Sequence, residues 1–133
     1  MIDRVSSPMP THCGVVGGGR MGAGIAHALL LAGAQVVLVE RDEDASAAAR
    51  RRVEAAVRKS AERGQVEDVD VVMERLSSSV DAADLGRSGL VVEAVPEDLE
   101  LKVATLRRIA HHVLEHTVIA SNTSSLSLDV LAR

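Results

Sequence analysis

The chain of 133 residues contains no phenylalanine, tyrosine or tryptophan. Its hydrophobic side chains, 47% of the total, are aliphatic or sulfur-containing, and any core must be built from them. A chain of this length can bury one such core, so we expect a single globular domain. A core without aromatic rings also favours closely spaced layers of helix and sheet.

Cysteine is nearly absent. The single Cys13 cannot form a disulfide within the chain, and its position in an apolar segment predicts a small buried side chain. This cysteine usage is typical of a reducing compartment, and we expect a cytoplasmic location. We assign no residue to a metal site.

Long apolar runs and a basic face are also lacking. No segment is long and apolar enough to span a membrane, and the N-terminus has no signal-peptide core. The formal net charge is −4, from 15 basic and 19 acidic side chains. We therefore expect neither a membrane nor nucleic acid as a partner. Residues 1–11 are interpreted as a flexible leader and residues 12–133 as the folded domain.

The chain does contain a glycine-rich turn directly after a short apolar strand, His12–Val16. Gly17, Gly19 and Gly22 have the G-x-G-x-x-G spacing of a dinucleotide-binding loop. The first glycine permits a tight turn, the second lets a pyrophosphate approach the backbone, and the third lets the next helix pack closely. A purely structural glycine turn is the alternative, and the elements around it favour the binding loop.

The helix after this turn is predicted over Arg20–Leu31, with its N-terminal N–H groups facing the phosphates. Arg20 and Met21 open the helix, so we include both in the cofactor site. The side chains predicted to face the core are Met21, Ile25, Ala28, Leu29 and Ala32.

A second apolar strand, Gln35–Val39, ends in Glu40, 18 residues after Gly22. A carboxylate at this position can accept both hydroxyl groups of an adenosine ribose and would repel a 2′-phosphate, which favours NAD over NADP. Arg41 is included in the site and keeps NADP as a minority alternative. A solvated acid at a strand end is the other interpretation of Glu40.

The rest of the chain alternates between helices and strands. Helices are predicted at about 42–63, 66–75 and 97–111, and strands at 76–79, 89–95 and 117–121. Five strands alternating with helices predict an α/β fold, a Rossmann-type doubly wound parallel sheet. The loops after strands one, two, four and five then open on one side of the sheet, where ligands bind.

Two helix faces are predicted from the pattern of side chains. In the helix at 97–111, the inward residues are predicted to be Leu99, Val103, Leu106, Ile109 and Ala110. In the long helix, Arg50, Arg51 and Arg52 could form a phosphate patch, but a solvated face is the preferred interpretation.

Three segments together resemble the NAD-binding domain of the 3-hydroxyacyl-CoA dehydrogenase family. They are GGGRMGAGIA at 17–26, VVEAVPEDLELK at 91–102 and ASNTSSLSL at 120–128. The first is shared with many reductases, and the third is highly selective for this family. The resemblance implies an oxidoreductase of fatty acid metabolism that uses NAD to interconvert 3-hydroxyacyl and 3-oxoacyl thioesters. The thioester carrier would be coenzyme A or an acyl carrier protein.

The resemblance also implies roles for single residues. Ala94, Glu97 and Lys102 match positions that contact the cofactor around its nicotinamide half. Asn122 matches the residue near the nicotinamide carboxamide, and Ser124 the active-site serine that hydrogen-bonds the 3-oxygen of the substrate, so both are catalytic candidates. Without the resemblance, Asn122 and Ser124 would be ordinary turn residues, and Lys102 a surface lysine of a helix.

Other parts of the family's active site would lie beyond Arg133. The resemblance implies a catalytic histidine in a His-Phe-Phe-Asn-Pro-like motif, a glutamate partner, and a helical C-terminal domain for substrate binding and dimerisation. The histidines of this chain are expected at the wrong places to replace that base, and they are His12, His27, His111, His112 and His116. We therefore expect this chain alone to bind NAD and to turn over little or nothing.

Two other functions remain open. The chain could be a stand-alone nucleotide-binding or regulatory module without catalysis. It could also be another reductase with the same first motif, such as a β-hydroxyacid dehydrogenase, although the SNTSSL segment argues against this. Strand five is expected at the edge of the sheet, where residues 117–120 would leave backbone groups unpaired and favour a homo-oligomer.

Overall fold

In the computed structural model of the chain, residues 10–122 are described. Most of the predicted leader lies outside these residues, and so does the predicted active-site residue Ser124. Within residues 10–122, no helix combines the length and the hydropathy that crossing a bilayer requires.

Five parallel strands form one sheet in the order β3-β2-β1-β4-β5. The strands are β1 (His12–Val16), β2 (Gln35–Val39), β3 (Leu76–Ser79), β4 (Leu90–Glu93) and β5 (Val118–Ser121). From β1, the sheet extends to one side through β2 and β3 and then to the other side through β4 and β5, which is the strand order of a doubly wound sheet. The predicted Rossmann-type α/β fold is therefore confirmed. In the described part of the chain, β5 is an edge strand, as expected from the sequence.

Four α-helices and one 3₁₀-helix connect the strands. They are α1 (Arg20–Leu31), α2 (Glu43–Glu62), α3 (Val69–Met73), the 3₁₀-helix Ala82–Leu85 and α4 (Leu99–His112). An aspartate side chain caps every one of them except α1, and the caps are Asp42, Asp68, Asp81 and Asp98. Each carboxylate accepts a backbone N–H of the first turn, which fixes where the helix begins.

The core has two layers, one on each face of the sheet. Helices α1, α2 and α3 cover one face, where Val15, Val36 and Val53 are fully or almost fully buried. Helix α4 and the 3₁₀-helix cover the other face in a smaller cluster around Val91 and Ile109. Both clusters consist of aliphatic and sulfur-containing side chains, as expected for a core without aromatic rings.

The predicted inward face of α1 was wrong in part: Ile25 and Leu29 pack against the core, whereas Met21, Ala28 and Ala32 are exposed. The buried residues of α1 are Gly22, Ala23, Ala26 and Leu30, and Met21 is 58% exposed. Gly22 must lie against the glycine turn, and the small alanines allow α1 to approach the sheet. This contact rotates the helix by about one residue relative to the orientation that its larger side chains suggest.

The predicted inward face of α4 was also wrong in part. Ile109 is buried as expected, but Leu99 is 40% exposed and Ala110 is exposed. The other buried residues of α4 are polar, Lys102 and Thr105. The reason is a buried ion pair of Lys102, which belongs to the site described next.

Candidate functional site

The carboxyl ends of β1, β2, β4 and β5 surround a cavity of about 980 Å³. Nine of the predicted site residues line it: Gly17, Gly19, Arg20, Met21, Glu40, Arg41, Ala94, Glu97 and Asn122. Gly22 and Lys102 lie behind the cavity wall. A smaller cavity of about 330 Å³, between β1 to β3 and the 3₁₀-helix region, contains none of the predicted site residues.

The three glycines of the motif have different surroundings. Gly17 has a φ of 98°, and a Cβ there would lie 2.8 Å from the carbonyl oxygen of Ala94. A Cβ at Gly22 would overlap the carbonyl oxygen of Gly17, so the third glycine packs against the turn itself. A Cβ at Gly19 would meet nothing within 4 Å, so this backbone faces open space. These surroundings agree with the predicted division of tasks among the glycines.

The start of α1 can hold an anion. Gly19 is the N-cap residue of α1, and no side chain caps this end. The first N–H groups and the positive end of the helix dipole therefore face the cavity beside the open backbone of Gly19. A diphosphate fits this position, and a side chain at residue 19 would occupy its place.

Glu40 is held in place by backbone N–H groups. One carboxylate oxygen accepts the N–H of Gly18 at 2.7 Å, and the other accepts the N–H of Arg41 at 3.0 Å. The side chain is 11% exposed and lines the cavity, so it is not a freely solvated acid at a strand end. Each of its oxygens has a further lone pair that can accept a hydroxyl group from the cavity.

Arg52 lines the cavity, although the preferred interpretation from the sequence left it out of the site. Its guanidinium crosses from α2 to donate to the carbonyl oxygen of Gly18 at 2.9 Å. Arg50 donates to the carbonyl oxygen of Leu76 at 3.2 Å. Arg51 and Arg52 are exposed, as a solvated face predicts, but Arg50 is half-buried and both Arg50 and Arg52 use their guanidinium groups in hydrogen bonds to the backbone. Helical spacing could have indicated this position. Arg52 lies seven residues, about two turns, after Ala45, so both residues are on the same face of α2, and Ala45 also lines the cavity.

Lys102 is completely buried, so the alternative of a surface lysine is wrong. Its ammonium lies 2.9 Å from a carboxylate oxygen of Glu93, which is also completely buried. It further donates to the carbonyl oxygens of Val95 at 3.0 Å and Asn122 at 3.2 Å. A longer ion pair of 3.5 Å joins it to Glu97 at the cavity wall.

Glu93 is a residue that the sequence analysis missed. One carboxylate oxygen accepts both the Lys102 ammonium and the N–H of Val95, the latter at 2.6 Å. The other accepts the hydroxyl of Ser121. The N–H of Val95 thus bonds to a side chain rather than to a neighbouring strand, which explains why β4 ends at Glu93 and not at Val95 as predicted.

No histidine lines the cavity, although all five lie within residues 10–122. His27 shares a hydrogen bond of 2.8 Å with the hydroxyl of Ser60, between α1 and α2. His111 and His112 contact each other edge to face at the end of α4, on the side of the sheet where β5 begins. That no histidine of this chain serves as the catalytic base stays a prediction.

The match to known proteins covers nearly the whole chain. The sequence model of the family described as "3-hydroxyacyl-CoA dehydrogenase, NAD binding domain" matches residues 12–133. Hydroxyacyl-coenzyme A dehydrogenase, mitochondrial, of Sus scrofa is 40% identical over 129 residues, which are 91% of this chain and 41% of that protein. The human protein of the same name is 39% identical over the same shares. The chain thus spans about two-fifths of the length of these relatives.

Solved structures agree with the sequence match. The structure of FadB2 from M. tuberculosis has a TM-score of 0.88 at 33% identity, over 93% of this chain and 45% of that one. (S)-3-hydroxybutyryl-CoA dehydrogenase PaaH1 from Ralstonia eutropha has a TM-score of 0.86 at 34% identity, over 92% of this chain and 44% of that one. The resemblance inferred from the three motifs is therefore confirmed: the chain belongs to the 3-hydroxyacyl-CoA dehydrogenase family, as an NAD-binding domain of that family.

Proposed function

We propose that this chain is the cofactor-binding part of an enzyme that interconverts 3-hydroxyacyl and 3-oxoacyl thioesters with NAD. One observation carries the proposal. A single cavity joins the glycine turn and Glu40 at one end to Ala94, Glu97 and Asn122 at the other. This order of groups fits a dinucleotide laid across the carboxyl ends of the strands.

The proposed position of NAD follows from the chemistry of each wall. Gly19 and the first turn of α1 would hold the diphosphate, and Glu40 would accept the hydroxyl groups of the adenosine ribose. The ends of β4 and β5 would hold the nicotinamide half. There, Ala94 and Glu97 would contact the nicotinamide half, and Asn122 would be near the carboxamide.

The reaction also requires a base that accepts the hydroxyl proton of the substrate. When bound, NAD accepts a hydride from C3 of the 3-hydroxyacyl group, and the hydroxyl proton must pass to a base. Asn122 and Ser124 would orient the 3-oxygen at the ends of the strands. Within residues 10–122 no histidine lines the cavity, and the resemblance to the family implies that the base is a histidine of the motif expected beyond Arg133. This chain alone is proposed to bind the cofactor with little or no turnover.

The substrate is proposed to be an acyl-CoA, because the relatives from Sus scrofa and Ralstonia eutropha are named as dehydrogenases of CoA thioesters. An acyl carrier protein thioester stays the alternative carrier. Cytoplasmic location stays a prediction, and the relatives from Sus scrofa and Homo sapiens carry the word mitochondrial in their names.

Self-association is proposed through the edge of β5. Val118 is 60% exposed there, and Leu114 just before it is 53% exposed. Light scattering of the 133-residue chain over a tenfold range of concentration is expected to show a mass above that of the monomer. A constant monomer mass would contradict this part of the proposal.

NADH fluorescence provides the main test. The chain has no tyrosine or tryptophan, so emission of the bound cofactor can be followed without a protein background. We expect saturable NADH binding by the chain and weaker NADPH binding. No NADH binding would overturn the proposal, and rapid hydride transfer by the chain alone would overturn its second part. An open reading frame that continues past Arg133 into the histidine motif would support it over a stand-alone regulatory module.

A further inference from the structure

A fully buried ion pair lies directly behind the nicotinamide end of the cavity. Glu93 and Lys102 both have 0% exposed side chains, and the ammonium lies 2.9 Å from the carboxylate. Removing two charges from water is costly, and their attraction often does not compensate for it. A pair of this kind is therefore poorly explained by stability alone.

The hydrogen bonds of the pair connect two segments of the site. The three donors of Lys102 reach Glu93, the carbonyl of Val95 after β4, and the carbonyl of Asn122 after β5. The oxygens of Glu93 accept the N–H of Val95 and the hydroxyl of Ser121. Each of the two buried side chains thus contacts both the exit of β4 and the end of β5.

Neither member of the pair lines the cavity, but the residues that the pair holds do so. Val95 and Asn122 are part of the cavity wall, and Ala94 lies beside Val95. The carbonyl oxygens of Val95 and Asn122 point inward to the ammonium, which turns the rest of each residue toward the cavity. Since all three donors of Lys102 are used within the protein, a direct contact with a cofactor would require one of them to be released.

We propose that Glu93 is a positioning residue for the nicotinamide half of the cofactor. Together with Lys102, it fixes the distance between the ends of β4 and β5 before the cofactor arrives, so that binding loses less entropy. This inference rests on the proposed function, since it assumes that NAD lies in the cavity.

Two ligands that share an adenosine half can distinguish a positioning role at the nicotinamide half from a role in the stability of the fold. NADH reaches both ends of the cavity, whereas ADP-ribose lacks the nicotinamide ring. In the Glu93→Gln variant of the 133-residue chain, we expect the Kd for NADH to rise about tenfold, the effect of one charge-assisted hydrogen bond. The Kd for ADP-ribose should stay within about twofold of the original. Glu54→Gln is the control, because it breaks an exposed ion pair with Arg58 far from this pair.

A second variant keeps the test valid if Glu93→Gln does not fold. The double substitution Glu93→Met with Lys102→Met removes both charges, and it is expected to fold because no buried charge is left alone. If Glu93 only stabilises the fold, the double variant should bind NADH normally. If the pair positions the nicotinamide half, NADH binding stays weakened while ADP-ribose binding is normal, and the comparison of Glu93→Gln with Lys102→Met then separates this result from a direct contact of Lys102.

The outcomes distinguish the two proposals. Parallel loss of NADH and ADP-ribose affinity, or normal NADH binding by the folded double variant, would overturn the positioning role and leave the proposed function standing. Failure of the original chain to bind either ligand would overturn both. Normal behaviour of Glu93→Gln with weak binding by Lys102→Met alone would assign the effect to a direct contact of Lys102 instead.

Discussion

Glu40 and Arg52 hold the two sides of one residue, Gly18. The carboxylate of Glu40 accepts its N–H at 2.7 Å, and the guanidinium of Arg52 donates to its carbonyl at 2.9 Å. A side chain at residue 18 would overlap Ala49 of α2, so only glycine fits between them. The glycine turn is thus fixed by the end of β2 and by α2 before any ligand is bound.

Replacing the carboxylate of Glu40 tests its role in choosing the cofactor. Glu40→Gln keeps an acceptor for Gly18 but removes the charge that repels a 2′-phosphate. We expect NADH affinity to fall about tenfold, since the ribose loses a charge-assisted hydrogen bond. NADPH affinity should rise, because Arg41 and Arg52 line the same cavity. Fluorescence titration measures both, and an unchanged NADH to NADPH ratio would contradict the role of Glu40.

Neighbouring arginines of α2 provide a matched pair of variants. Arg52→Met removes the hydrogen bond to Gly18 and should lower the free energy of unfolding by about 1 kcal/mol. It should also weaken NADH binding severalfold, because the turn is less fixed. Arg51→Met, at an exposed position, should change neither. Urea unfolding followed by far-UV circular dichroism gives the stability, and equal effects of the two substitutions would refute the distinction.

Three glycine to alanine substitutions should have three different results. Gly22→Ala places a methyl group on the carbonyl oxygen of Gly17 and should cost about 3 kcal/mol or more. Gly24→Ala meets nothing within 4 Å in the interior of α1 and should stabilise by about 0.5–1 kcal/mol. Gly19→Ala should change stability by less than about 1 kcal/mol yet abolish NADH binding, since its methyl group would occupy the phosphate position.

These glycine variants are compared by thermal unfolding and by NADH titration. A stable Gly22→Ala protein would show that α1 can shift away from the turn. Full NADH affinity in Gly19→Ala would place the diphosphate elsewhere.

The thiol of Cys13 predicts a pH dependence of stability. Burial raises the pKa of this thiol above its ordinary value. The unfolded chain then releases the thiol proton at lower pH than the folded protein. The free energy of unfolding should therefore fall as pH rises above about 8.5, by at most about 1.4 kcal/mol per pH unit, until the folded thiol ionises.

Urea unfolding at pH 7 to 10 measures this slope, and the absence of tyrosine removes one competing titration. The Cys13→Ala variant should lack the thiol's part of the slope. Equal slopes in both proteins would contradict the assignment to Cys13.

The strands and the glycine turn could be predicted from the sequence because their signals are local. Apolar runs rich in valine predicted β1 and β2 with the observed ends, and the spacing of Gly17, Gly19 and Glu40 predicted the positions around the cavity. Hydrophobic periodicity was a poorer guide to helix orientation. In α1, contact at Gly22 decides which face is buried, and glycine contributes no hydrophobic signal.

Residues that act through long-range contacts could not be predicted in this way. Lys102 alone, a charged residue of a helix, indicates a solvated position, and no local pattern assigns a role to Glu93 within the apolar strand predicted at 89–95. Their burial depends on a partner nine residues away and on the end of β5, which only the assembled sheet brings together. Arg52 was left out of the site for the same reason, since the carbonyl that it binds is 34 residues earlier in the chain.

The burial of Lys102 has a practical consequence for amine chemistry. The sequence contains two lysines, and the other one, Lys59, is exposed on α2. Acylating reagents should label Lys59 at once, whereas Lys102 becomes reactive only when the ends of β4 and β5 separate. The rate of labelling at Lys102 can be measured by peptide mass spectrometry, with Lys59 in the same sample as the reference. This rate would report how often local opening separates the ends of β4 and β5.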